Sequence, residues 1–383
     1  MRVAVVEEIA ALPAREWNAL SDGSNPFVRH EFLLAVERAG CVGANTGWQP
    51  RFVTLRDDHG LAAAAPTWLK KHSYGEFVFD FAWAQAYARA GLAYYPKLVA
   101  AAPFTPASGP RLLVRSDLGY ESTADTLLDA LGREADALGL QSAHVLFPDA
   151  RDHARLAGRD DWLLRRDCQF HWRNRDYRDF DDFLATFSAE KRKKAKRERR
   201  RVAELGVSFE TRLASAASEA EIDAAFELHR VNFLRHGNEP YLNRAAFFAI
   251  AASMGESMLF KFARLHDRIV AVAVFFVGRD TLYGRYWGAI DDFHSLHFET
   301  CYHQGVEFCI ERGLARFEPG TQGEHKVSRG FEPVMVHSAH RIREPRFRAA
   351  IADFLRREGA AVDDYAAGIR EHVPFRADLD PPP

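Results

Sequence analysis

The chain has 383 residues, 47% hydrophobic and 27% charged, with a formal net charge of −2. That length holds two domains of ordinary size, and the balance excludes a disordered or fibrous chain. No run of 18 or more apolar residues appears that could span a membrane, and the four cysteines show no CxxC spacing, so neither a disulfide framework nor a zinc knuckle is indicated.

The opening MRVAVVEEIAALPAREW acquires two glutamates before any signal-peptide core could form, so a cytoplasmic location is expected. Residues 70–110 are aromatic-rich and punctuated by His72, Tyr74, Glu76, Asp80, Tyr87, Tyr94, Tyr95 and Lys97, while Pro96, Pro103, Pro106 and Pro110 oppose a long regular element. The reading is a structured loop beside an interdomain cleft, with Tyr74, Asp80, Tyr95 and Lys97 as substrate contacts. A helical run over 123–138 ends at Gly139-Leu140 and is followed by a strand over 143–147. A domain boundary is placed near 160–166.

Ser188 is read as the cap of a helix over 189–205 that stops at Gly206. Between Lys191 and Arg201, Lys191, Arg192, Lys193, Lys194, Lys196, Arg197, Arg199, Arg200 and Arg201 stand with a single acid, Glu198, so the rest of the chain is net acidic. Ala195, Val202 and Leu205 leave only a narrow apolar stripe. Nine like charges without i to i+4 partners suit a polyanion better than a merely solvated face.

Strands are expected over 258–265 and 269–277, joined by a turn at His266-Asp267-Arg268, and a third over 282–287. A polar loop, 291–296, leads to a helix over 297–312 with Gly313 as its C-cap, then a short strand over 314–317. Helix, Gly-Leu and strand thus occur twice, which suggests a duplicated unit. A turn carrying Gln322, Glu324, His325, Lys326 and Arg329 follows. Cys301 is read as a small buried hydrophobe. His294, His297, Glu299 and His303 match no metal motif, and no metal is expected; GxGxxG, Walker and GxSxG patterns are absent.

LYGRYWG at 282–288, LHFETCYHQGVE at 296–307 and FEPGTQGEHKVSRGF at 317–331 resemble the FemAB-like branch of the GNAT N-acyltransferase superfamily, labelled peptidoglycan biosynthesis/recognition. NPFVRHEFL at 25–33, KKHSYGEFVFDFAWAQAY at 70–87 and QFHWRN at 169–174 extend the resemblance over nearly the whole chain. It implies an α/β fold with mixed sheets: tandem GNAT-like domains over 1–165 and 166–375, with a flexible tail over 376–383. The implied activity is transfer of an acyl or aminoacyl group to an amine, on a cell-wall precursor or peptide. The donor is acyl-CoA or aminoacyl-tRNA, and the implied partners are anionic: CoA, a nucleotide-linked precursor or tRNA. The alternative is a non-catalytic protein that binds peptidoglycan or RNA.

Where GNAT acetyltransferases carry a Gly-rich pyrophosphate turn, this chain reads Asp291-Asp292-Phe293-His294-Ser295-Leu296-His297, which weakens an acetyl-CoA site. Acyl transfer to an amine needs a proton acceptor, with Glu318, His325 and Glu299 as candidates. Lys326 and Arg329, which resemble the Fem-type pattern of glycine, lysine and a Gly-aromatic pair, would bind phosphate or carboxylate. Tyr286 and Trp287 would hold the donor or acceptor chain, and His297, Gln322 and Glu324 would complete the substrate contacts.

Overall fold

The computed structural model describes residues 1–293, 295–321 and 323–376. The chain divides into one unit of Met1–Asp167 with Met335–Asp364, and a second of Cys168–Val334 with the remainder from Tyr365. His294, Gln322 and residues 377–383, most of the expected tail, lie outside the described residues. The boundary read from sequence gave all of 166–375 to the second domain. Instead, 335–364 returns to the first, because the end of strand Glu332–Ile342 pairs antiparallel with Ser142–Leu146.

In the first unit, Arg2–Val6, Phe52–Asp57, Gly60–Ala65 and Leu113–Val114 form one antiparallel sheet. A second set runs Trp48–Pro50, Thr67–Lys70, Lys97–Ala100 and Ser142–Leu146, the last two parallel. Parallel strands need a crossover. The helix Tyr120–Ala137 supplies it, burying Ala124, Leu127, Leu128 and Leu131 with Val53, Leu55, Ala63 and Val145.

The second unit repeats this logic. Ser208–Leu213, Met258–Leu265, Arg268–Val277 and Thr281–Ala289 pair antiparallel in succession, then Thr281–Ala289 meets Arg316–Glu318 in parallel through the crossover helix ending at Arg312. Phe275, Leu282, Val306, Phe308, Phe317 and Phe331 fill its core.

The two crossover helices end in the same way. Gly139 (φ +68°) and Gly313 (φ +63°) take the left-handed conformation that L side chains avoid. Leu140 N–H donates to Ala135 O at 2.9 Å, and Leu314 N–H donates to Cys309 O at 2.9 Å. Both are six-residue Schellman closures with the following leucine buried.

Three local readings need correction. Residues 70–110 contain a helix, Phe81–Arg89, and a strand, Lys97–Ala100, because Pro96 lies beyond the helix and its ring locks no helical position. Ser188 makes no side-chain cap bond to the basic helix Ala189–Glu204, and Leu205 is 44% exposed rather than part of an apolar stripe. The helix read over 297–312 begins at Leu296, passes through a π turn at Glu299–His303 and continues as Gln304–Arg312.

Candidate active site

The parallel pairing of Thr281–Ala289 with Arg316–Glu318 stops at Tyr283 and Glu318. Beyond that point, Gly284 lets the strands approach once more: a Cβ there would lie 3.2 Å from Pro319 Cα. Arg285 then has no counterpart in the ladder, since Val274 pairs with Tyr286 and Phe275 with Gly284. This bulge re-aims the strand, as bulges do beside functional clefts. A cavity of about 620 Å³ is lined here by Gly284, Arg285, Tyr286, Trp287, His297, Cys301, Tyr302, Pro319 and His325, with Asn232, Phe233 and His236 from the region of helix Glu219–Arg235.

The π turn has a role in this wall. One added residue per turn brings His297, Cys301 and Tyr302, four and five positions apart, to the same cavity. Trp287 packs on His297 at 5.2 Å between ring centres, and Tyr286 on the fully buried His229 at 4.3 Å. His325 Nε2 lies 2.9 Å from Tyr302 Oη. Burial, then the neighbouring positive groups, pushes both His297 and His325 down to about 4, so both rings are neutral near pH 7. Burial drives the Cys301 thiol well above its ordinary value, which keeps it protonated and rules against a thiolate nucleophile.

Lys326 sits behind His325 in the short helical turn Glu324–Arg329 and is 2% exposed. Its Nζ donates to Gly320 O at 2.7 Å, with no carboxylate ion pair among the described residues. Burial lowers it to about 7. Glu318 closes the strand Arg316–Glu318 at 8% exposure, in the electrostatic field of Tyr283 and Arg285.

Other expected site residues are drawn elsewhere. Glu299 accepts from Arg199 Nε at 3.2 Å and Gln304 Nε2 at 2.8 Å, and is not part of the cavity wall. Arg329 Nη2 donates to Glu198 Oε2 at 2.9 Å, its guanidinium 3.5 Å above the Phe298 ring, so its charge is already engaged. Glu324 Oε1 accepts from Tyr365 Oη at 2.8 Å.

The basic helix has two faces. Ala195, Glu198, Arg199 and Val202, at i, i+3, i+4 and i+7, point inward; Arg199 also donates to Glu307 Oε1 and Oε2 at 3.0 and 3.1 Å. Lys193, Lys194, Lys196, Arg197, Arg200 and Arg201 are exposed, while Lys191 and Arg192 are half-buried.

In the first unit, Asp80, Tyr95 and Lys97 do converge, around Ser73, but in a closed network. Lys97 Nζ donates to Glu76 Oε2 at 2.8 Å, to Ser73 Oγ at 2.9 Å and to Asp80. Tyr94 Oη and Ser73 Oγ each donate to Asp80 at 2.5 Å, and Tyr95 Oη lies 2.8 Å from Ser73 Oγ. Tyr74 is 68% exposed and outside this network.

Sequence reasoning missed Arg285, Tyr302 and His229. Arg285 was visible as a lone cation between aromatics in a strand; the other two carried no signal separable from core.

Comparison with known proteins follows from this geometry. Residues 8–377 match the FemAB-like family, described as peptidoglycan biosynthesis/recognition. The chain belongs to that family. No curated protein sequence matches it. Among solved structures, the C-terminal domain of a putative lysylphosphatidylglycerol synthetase from Agrobacterium fabrum aligns with TM-score 0.55 at 10% identity, over 89% of this chain and 96% of that one. FemX aligns with TM-score 0.54 at 10% identity, over 92% and 100%. L-PGS from Bacillus licheniformis aligns with TM-score 0.50 at 12% identity, over 88% and 98%. This FemAB-like chain therefore has the tandem GNAT-like, mixed α/β fold. Among its described residues no helix is long and apolar enough to cross a membrane, and no group of three His, Cys, Asp or Glu side chains is placed to hold a metal ion.

Proposed function

We propose that this protein is an N-acyltransferase that moves an acyl or aminoacyl group to an amine acceptor of the peptidoglycan-precursor class, with its chemistry at the cavity of the second unit. The observation that carries the reading is the bulged strand that lines the cavity, together with a buried lysine that has no carboxylate partner among the described residues. Gly284, Arg285, Tyr286 and Trp287 line the cavity where an extended, amide-bearing chain would lie, with the Tyr286 and Trp287 rings flanking it.

In the reaction, the acceptor nitrogen attacks the carbonyl carbon of the donor ester or thioester. A C–N bond forms, the C–O or C–S bond breaks, the leaving hydroxyl or thiol takes a proton, and the ammonium proton passes to a base. Lys326, held near 7, suits that last role better than His325, whose conjugate acid near 4 makes it a weak acceptor. Glu318 is the second candidate. Tyr302 and His325 would orient the carbonyl, and Arg285 would stabilise developing negative charge.

Asp291 and Asp292 stand where a CoA pyrophosphate would need donors, which favours aminoacyl-tRNA. The exposed cations of the basic helix would hold its phosphates. The test is transfer of a labelled group from charged tRNA, and separately from acetyl-CoA, to a nucleotide-linked peptide bearing a free amine. Transfer from tRNA that falls steeply with salt supports the reading; retained acceptor binding with no transfer from either donor leaves a recognition protein.

A further inference from the structure

We propose that residues 74–93 of the first unit form a docking surface for an anionic lipid bilayer. Of the large hydrophobic side chains that are exposed, four fall in this short stretch: Tyr74 at 68%, Phe79 at 55%, Phe81 at 41% and Leu92 at 41%. Three are neighbours in space, with the Phe81 ring centre 6.3 Å from that of Tyr74 and 6.2 Å from that of Phe79. Such a contiguous apolar patch on a soluble unit marks an interaction site.

Helix Phe81–Arg89 explains how the patch arises. Its inner side buries Trp83 and Tyr87, and its outer side shows Phe81, Ala82, Gln85, Ala86, Ala88 and Arg89, continuing into Ala90 and Leu92. An ordinary surface helix would carry several charges on that face. This one carries a single cation.

The charge pattern selects the occupant. Between 71 and 97 the acids are Glu76 and Asp80, both buried and both bound to Lys97. The exposed charges there are Lys71 and Arg89, both positive. Glu358, which pairs with Arg165 at 2.7 Å, is neutralised where Arg165 Nη1 also holds Phe79 O at 3.0 Å. An apolar surface with aromatic rings and small residues, whose own exposed charges, Lys71 and Arg89, are positive, fits lipid headgroups and the acyl boundary beneath them.

The rings are also held in place. The Tyr74 carbonyl accepts from Trp48 Nε1 at 3.0 Å and from buried Lys70 Nζ at 3.2 Å, and Gly75 (φ +77°) follows it in the left-handed region. The buried Trp48 and Lys70 side chains thus fix the loop that displays Tyr74. Preorganisation of this kind lowers the ordering cost of docking.

The test is co-sedimentation of the full chain with vesicles of phosphatidylcholine, alone or mixed with phosphatidylglycerol, comparing wild type, Phe79→Ser/Phe81→Ser and Arg89→Glu. Wild type is expected to sediment with the mixed vesicles. The double variant should lose roughly tenfold or more in partitioning, and Arg89→Glu should weaken only the anionic component. Leu138→Ser, an exposed apolar position elsewhere in the same unit, should change nothing. Equal sedimentation of the double variant, or none for wild type, overturns the proposal. A dimer in size-exclusion chromatography that the double variant dissolves, without vesicle binding, overturns it in favour of a second copy. The inference is independent of the transfer reading, because neither phenylalanine lines the cavity and transfer to a soluble acceptor should survive in the double variant.

Discussion

Lys97 in the first unit and Lys326 in the second are equally buried, at 1% and 2% exposure, and they titrate in opposite directions. Burial opposes the Lys97 ammonium, but Glu76 and Asp80 more than offset it and raise its pKa. Lys326 faces a carbonyl oxygen and, among the described residues, no carboxylate, so burial dominates and brings it to about 7. Pairing holds a buried lysine charged as a structural strut; without such a pair, burial brings Lys326 into the range that the proposed proton acceptor needs. The same contrast separates Asp80, held at about 2 against the effect of burial by Lys97, from the neutral imidazoles of the cavity wall.

The sharpest way to break this comparison is to remove each lysine. Lys97→Met strands the Asp80 and Glu76 carboxyls and should cost about 3–5 kcal/mol in denaturant unfolding. Lys326→Met should leave unfolding unchanged or slightly improved, since no ion pair is lost, yet reduce kcat by on the order of 100-fold. Equal stability losses would show that the two lysines do the same work.

The pH dependence follows in sign. His297 and His325 bind protons at about 4 when folded and near 6.5 when unfolded. Between those values the unfolded chain holds more protons, so stability falls as pH drops from about 6.5 to about 4, by up to roughly 1.4 kcal/mol per pH unit for the half-buried His297 and by less for His325, which is exposed and screened by solvent. Chemical denaturation across that window should show the loss, and His297→Gln should make it shallower by that ring's share. Lys326 gives the same sign higher up: its contribution to stability rises with pH from about 7 to about 10.5.

The basic helix divides along the same line. Arg199→Met removes the partner of Glu299 and Glu307 and should cost about 2–4 kcal/mol, whereas Lys193→Ala and Arg197→Ala, on the outer face, should leave stability within about 0.5 kcal/mol. Each outer substitution should instead lower the salt slope of tRNA binding by about one. At the small end, Gly313→Ala meets no neighbouring atom and should cost about 1 kcal/mol from backbone strain alone, read as a small shift in the denaturation midpoint.

Strands 258–265, 268–277 and the two Gly-Leu helix stops were legible because alternation and punctuation are local signals. The return of 335–364 to the first unit was not, since Ser338–Ile342 reads as a strand whichever sheet receives it. The inward face of the basic helix was hidden for a related reason: Glu198 and Arg199 look solvated until Arg329, Glu299 and Glu307 arrive from 100 or more positions away. The turn at 324–329 stood out in the sequence, but sequence could not tell that Lys326 has no acid partner among the described residues while Arg329 finds one. Those pairings are properties of the tertiary structure.

One measurement tests the central claim most directly: the pH profile of single-turnover transfer from charged tRNA to a free-amine peptide acceptor, for wild type and Lys326→Met. The account predicts that the wild-type rate rises through an apparent pKa near 7 and that this limb vanishes in the variant along with most of the rate. A variant that keeps both the rate and the limb would move the proton acceptor to Glu318 or away from this cavity altogether.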